Sequence, residues 1–229
     1  MAMVFLLDDV DAARLEASAG AARHLQIKPS DDASRWLDML LSDVGTRRSC
    51  SRRRATAEYD LQLQRLDTIM TSPTVSLDAL DAASAATLDA GRVLLRCFPT
   101  DGEAWLLQAN LETRLVGPAA PAIQKMKLSA WTTPNEGAVI HRRIGVAARL
   151  FSAGVDEIRD VLAGDLLVLF NWGRRQDIQR IADRMHGIGS VLSAIDVSPE
   201  EPWRRELLVS MLGREGRVVQ SNDDRLPQD

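Results

Sequence analysis

Five arginines, Arg47, Arg48, Arg52, Arg53 and Arg54, surround Cys50. Nearby cations lower a thiol's pKa, so this is where a reactive cysteine would sit. No histidine or carboxylate stands beside it to act as general base. The same arginines could dock an anion, because guanidinium groups pair with phosphate or carboxylate through parallel hydrogen bonds. No aromatic residues interleave the cluster, and the chain as a whole is acidic, with 28 Lys+Arg against 32 Asp+Glu. That balance disfavours nucleic acid and favours either an acidic partner or a solvated loop. Cys97 follows an apolar helical face and precedes Phe98-Pro99, the setting of a buried structural thiol. Two cysteines cannot form a disulfide framework.

Other reactive constellations are missing from the sequence. There is no phosphate-binding glycine loop, no HExxH, no GxSxG and no CxxC. His24, His141 and His186 have no acid or cysteine at ligand spacing, whereas a zinc site needs about four ligands. His141 also adjoins Arg142 and Arg143, which would repel a metal cation. No catalytic residue, cofactor or metal ligand is assigned. Gly189 to Ile195 follows a glycine turn as a DNA-reading helix would, but it has almost no basic or amide side chains for base edges.

The elements that would carry these residues read as helices. The chain has 229 residues, 45% hydrophobic and 26% charged, enough for a substantial core. Aromatics make up 4%, which disfavours strand-rich folds. Apolar residues recur at helical spacing almost throughout, and no segment alternates for more than a few positions. The spacing predicts helices near 31–44, 55–71, 77–97, 102–115, 120–132, 137–151, 155–170, 175–186 and 199–212, with a short one between Ser190 and Ile195. Ser76 or Asp78 opens the third, and prolines 73, 99 and 134 close helices. Residues 1–29 form an N-terminal segment, 30–98 a group of helices with an arginine-rich loop at 46–54, 99–212 a repeat region, and 213–229 a disordered tail. Five tryptophans, at 36, 105, 131, 172 and 203, fall about one to a helical unit, as expected of packing between hairpins. The opening Met1 to Leu7 has neither the basic region nor the apolar stretch of about 7–15 residues expected of a signal peptide, and the apolar run Leu166–Phe170 is far shorter than the roughly 20 residues that cross a bilayer. As written, the chain is expected in the cytoplasm, or in the periplasm or at a membrane if an export signal lies upstream.

The repeat region is internally similar. Pro99-Thr-Asp-Gly-Glu-Ala-Trp105 is followed 35 residues later by Pro134-Asn-Glu-Gly-Ala-Val-Ile140. Each block has a helix-ending proline, an acid suited to a helix start, a glycine at one offset and a bulky apolar residue one turn in. Two helices separated by Gly117-Pro118 lie between the blocks. This stretch resembles the tetratricopeptide repeat family. Trp105 and Ala109 match the family's first-helix aromatic and small positions, Ala122, Met126 and Ser129 its second-helix pattern, and Pro134 its terminal proline. Glu112 replaces the usual tyrosine, Ile144 a small residue, and the period is 35 rather than 34.

The resemblance implies an all-α fold of antiparallel hairpins stacked as a short solenoid, with Trp105, Ala109, Ala122, Met126 and Ile140 buried where two hairpins meet. It implies a non-catalytic scaffold or adaptor for a protein or peptide; the alternatives are an accessory subunit of a complex or an enzyme with an unfamiliar site. On the family's geometry the inner surface presents Leu106, Asn110, Thr113 and Arg114 from one hairpin and His141, Arg142 and Arg149 from the next. Such a surface suits an acidic segment, unless its arginines are taken up by acids on neighbouring helices. Leu128 to Arg143 also resembles bacterial repeat proteins of envelope and surface-polysaccharide loci, which implies a link to envelope assembly.

Overall fold

The computed structural model describes residues 50–182, 188–195 and 202–223, with positions 17, 37–39 and 41. Among the described residues the chain is helical, without a strand. It divides into two compact units at Thr100/Asp101. His24, Trp36, Arg47, Arg48 and His186 lie outside the described residues, as does most of the helix expected at 31–44.

The first unit is built on an antiparallel hairpin, α1 (Arg52–Thr71) and α2 (Leu77–Cys97). The turn between them holds Pro73, and Ser76 caps α2 by accepting a hydrogen bond from the Ala79 amide at 3.2 Å. Leu61, Leu66, Ala83 and Leu94 are buried in this unit. Thr87 Oγ1, 3.1 Å from the Gln62 carbonyl and 2.7 Å from that of Ala83, ties one helix to the other. Asp38 pairs with Arg65 of α1 at 2.6 Å.

Two expectations are corrected here. Cys50 and Cys97 are not separate thiols: they form a disulfide, with Cα atoms 5.4 Å apart. An antiparallel hairpin brings the residue before its first helix to the residue ending its second, so the bridge closes the end opposite the turn. The two cysteines lie 47 residues apart, a separation over which periodicity carries no information. The arginine-rich loop also ends early, because α1 begins at Arg52. Arg52 and Arg53 are exposed, the former with its guanidinium 5.4 Å from the Phe98 ring centre, whereas Arg54 is buried.

The second unit contains α3 (Gly102–Val116), α4 (Ala120–Thr132), α5 (Gly137–Ser152), a 3-10 turn (Asp156–Ile158), α6 (Arg159–Trp172), α7 (Arg175–Ala182), α8 (Gly189–Leu192) and α9 (Pro202–Asp223). Consecutive pairs α3–α4 and α5–α6 pack closely; α5 also touches α3 and α4, and α4 touches α6. Asp101 caps α3 through the Ala104 amide at 3.0 Å, and Gly117 ends that helix with a φ of 97° that favours glycine. Ala109, Ala122, Met126 and Ile140 are buried as expected; Trp105 is only half-buried. Glu112 pairs with Lys125 across the α3–α4 hairpin at 2.6 Å.

Three further expectations change. The last helix does not stop at 212: α9 continues through residues 213–223 of the expected tail, and residues 224–229 lie outside the described residues. Each glycine in a helix interior costs about 1 kcal/mol relative to alanine, and unlike proline it removes no hydrogen bond. Trp131 and Trp172 are not packed between hairpins; they are 79% and 85% exposed. Trp131 lies five residues past the buried Met126, roughly 140° around the helix and so on its outer side. Leu106, expected on an inner surface, is buried in the core.

The repeated glycine has two different roles. A Cβ on Gly102 would fall under 3.0 Å from the side chains of Thr132 and Thr133, whereas one on Gly137 would meet nothing within 4 Å. Gly102 therefore lets the start of α3 approach the end of α4. We expect Gly102→Ala to destabilise the protein by about 1–3 kcal/mol and Gly137→Ala to be neutral or stabilising by up to about 1 kcal/mol, both measured by urea unfolding. Equal effects would refute the close approach. For the bridge, closing a loop of 47 residues restricts the unfolded chain by an amount equivalent to about 4 kcal/mol. Cys50→Ser/Cys97→Ser, or reduction, should lower stability by roughly 2–4 kcal/mol. Identical melting with and without reductant would show that the bridge does not form.

Candidate functional site

The antiparallel α5–α6 pair brings the first turn of α5 to the last turn of α6, where the chain turns at Gly173 into α7. A cleft of about 550 Å³ opens there. Ile140 from α5 and Val168 and Leu169 from α6 form its apolar part, and Ile140 and Leu169 are buried. Asn135 and His141 line one side, Arg174, Asp177 and Arg180 the other, and Trp172 stands exposed at the edge. Asp177 and Arg180 approach within 3.7 Å. The side chains of Asn135, His141 and Arg174 make no hydrogen bond or ion pair among the described residues.

Two arginines outside the cleft hold its walls. Arg143, with no exposed side chain, forks onto Asp165 of α6: Nε donates to Oδ2 at 2.7 Å and Nη2 to Oδ1 at 2.6 Å. Nη1 donates to Ser129 Oγ at 3.1 Å and Thr133 Oγ1 at 3.3 Å, and Nη2 to the Thr133 carbonyl at 3.4 Å. One guanidinium thus fixes α5 against α6 and the end of α4. Burial raises the Asp165 carboxyl above the usual carboxylate range; the hydrogen bonds and charge of Arg143 act the other way. Arg204 of α9 donates to the carbonyls of Phe170 and Gly173, two acceptors left open where α6 ends. Its guanidinium lies 4.6 Å from the Trp203 ring centre, and that of Arg175 lies 5.8 Å from it. The first turn of α9 therefore supports the corner from which Trp172 and Arg174 project.

The residues expected on an inner surface are partly brought together. Arg149 Nη2 donates to Asn110 Oδ1 at 3.2 Å, and Arg142 Nη1 to Glu103 Oε1 at 2.6 Å, both from α5 to α3. Arg114 is exposed near the end of α3. His141 alone of that set lines the cleft. Asn135, Trp172, Arg174 and Arg180 carry no motif. The sequence marks only the breaks they flank, Pro134-Asn-Glu-Gly137 and Asn171-Trp-Gly173.

Among the described residues no three His, Cys, Asp or Glu side chains gather as a metal site, and no helix is long and apolar enough to cross a membrane. No family model, curated protein or solved structure matches the chain.

Arg143 is expected to be indispensable as half of a pair. Asp165→Ala should destabilise by about 3–5 kcal/mol, because it strands a buried guanidinium, while Arg143→Met combined with Asp165→Leu should recover most of that loss. A double variant no more stable than Asp165→Ala, by denaturant midpoint, would contradict the pairing.

Proposed function

We propose that this protein is a non-catalytic helical-hairpin scaffold that binds a protein or peptide partner through the end of its second unit that carries Trp172. The observation behind this reading is the 85% exposure of Trp172 at the edge of an apolar cleft. An indole left in water forgoes roughly 4 kcal/mol of burial, at about 25 cal/mol per Å² over 150 Å² or more. Tryptophan set beside an apolar pocket is the usual anchor of a binding surface. Trp131, 79% exposed at the end of α4, falls at the same end of the unit, because α4 finishes where α5 begins. The packing of α5 on α3 and α4, and of α4 on α6, supports the tetratricopeptide-like stacking that such a scaffold uses.

One observation favours the envelope-linked version of this reading. The Cys50–Cys97 bridge suits an oxidising compartment, since cytosolic thiols are kept reduced. Alkylation of the protein in intact cells should find both cysteines blocked; free thiols would favour the cytoplasm instead.

For the main reading, affinity capture from native cells should recover partners on the unaltered chain. Trp131→Ala/Trp172→Ala should lose them by tenfold or more (about 1.4 kcal/mol) with circular dichroism unchanged. Undiminished capture would remove this end as the binding surface.

A further inference from the structure

We infer that the cleft between α5, α6 and α7 receives a carboxylate carried next to a large apolar group, as in a partner segment that sets Asp or Glu beside an aromatic or aliphatic residue. The inference rests on the binding reading above and specifies what is bound. The cleft holds two arginines and one aspartate, and Arg180 already lies near Asp177 at 3.7 Å. Arg174 is left as a guanidinium with no ion pair among the described residues, facing a cavity whose charge excess is positive. A planar guanidinium holds a carboxylate through two parallel hydrogen bonds. Asn135 and His141, also without side-chain partners among the described residues, offer further hydrogen bonds on the opposite side.

The apolar half of the requirement comes from the cleft's floor. Val168 is half-buried and Trp172 exposed, so these two give the charged group's neighbour an apolar surface to cover, backed by the buried Ile140 and Leu169. A fully charged phosphate fits less well. It would place up to two negative charges near Asp177 with one uncommitted arginine to balance them. The volume, about 550 Å³, holds one such side-chain pair rather than a long segment.

The test uses two probes of the same heavy-atom shape that differ at one group, N-acetylphenylalanine as its carboxylate and the neutral N-acetylphenylalaninamide. Each is titrated into the full chain while the indole N–H signal of Trp172, assigned through Trp172→Phe, is followed by NMR. The carboxylate should shift that signal and bind at least about tenfold more tightly than the amide, the difference one charged hydrogen-bonded pair makes. Arg174→Met should bring the carboxylate down to the amide's affinity without altering the amide. Equal affinity for the two probes, no binding of either, or a preference that survives Arg174→Met would each overturn the inference. So would a response of the Trp172 signal to anionic phosphatidylglycerol vesicles alone, which would indicate a lipid surface. Loss of partner capture on replacing the tryptophans, with no carboxylate preference, would overturn this inference and leave the binding reading in place. Capture that survives those replacements would overturn the binding reading itself.

Discussion

A guanidinium with no exposed side chain governs the second unit. Taking a charge out of water costs several kcal/mol, so Arg143 is tolerable only where every donor finds an acceptor and the charge meets an opposite one. Asp165, Ser129 and Thr133 supply these from two other helices. An apolar core accepts many packings of similar energy, but this one requires α4, α5 and α6 in one register. Thr133 extends the requirement to α3, because its side chain occupies the space that a Cβ on Gly102 would need. A bare glycine, a threonine, an arginine and an aspartate therefore link four helices through contacts a few ångströms long.

The first unit solves a smaller problem by different means. Its central hairpin has two helices of about equal length, and a two-helix contact buries limited apolar area. The turn at Ser72–Ser76 closes one end and the Cys50–Cys97 bridge the other. The covalent link acts on the unfolded chain, which cannot separate these ends, rather than by adding contacts to the folded one. Arg52 over the Phe98 ring adds a contact beside the bridge.

The cleft is a consequence of helix ends. Backbone groups at the close of α6 lack intrahelical partners, and Arg204 supplies donors to two of them from a helix that starts 30 residues later. This fixes the corner at Gly173, and the side chains on either side of it, Trp172 and Arg174, are held outward. The polar groups that face the cavity are those the core does not use.

Between Arg52 and Trp172 the helix positions were written in the sequence to within a few residues, because apolar spacing, prolines and capping residues such as Ser76 and Asp101 act locally, whereas the end of α9 carries no such stop signal. The resemblance of the two Pro-x-acid-Gly blocks also marked where α3 and α5 begin. What the sequence could not distinguish was which member of a class has which role. Arg142, Arg143 and Arg149 look alike on paper, yet Arg142 pairs with Glu103 near solvent, Arg143 is the core ion pair and Arg149 meets Asn110. Gly102 and Gly137 match in sequence, but only Gly102 has a neighbour that forbids a side chain. Cys50 and Cys97 each read as a lone thiol until the hairpin brought them together. Burial, pairing and bridging depend on which surfaces meet across tens of residues, and that is decided by the packing of whole helices rather than by any local run of side chains.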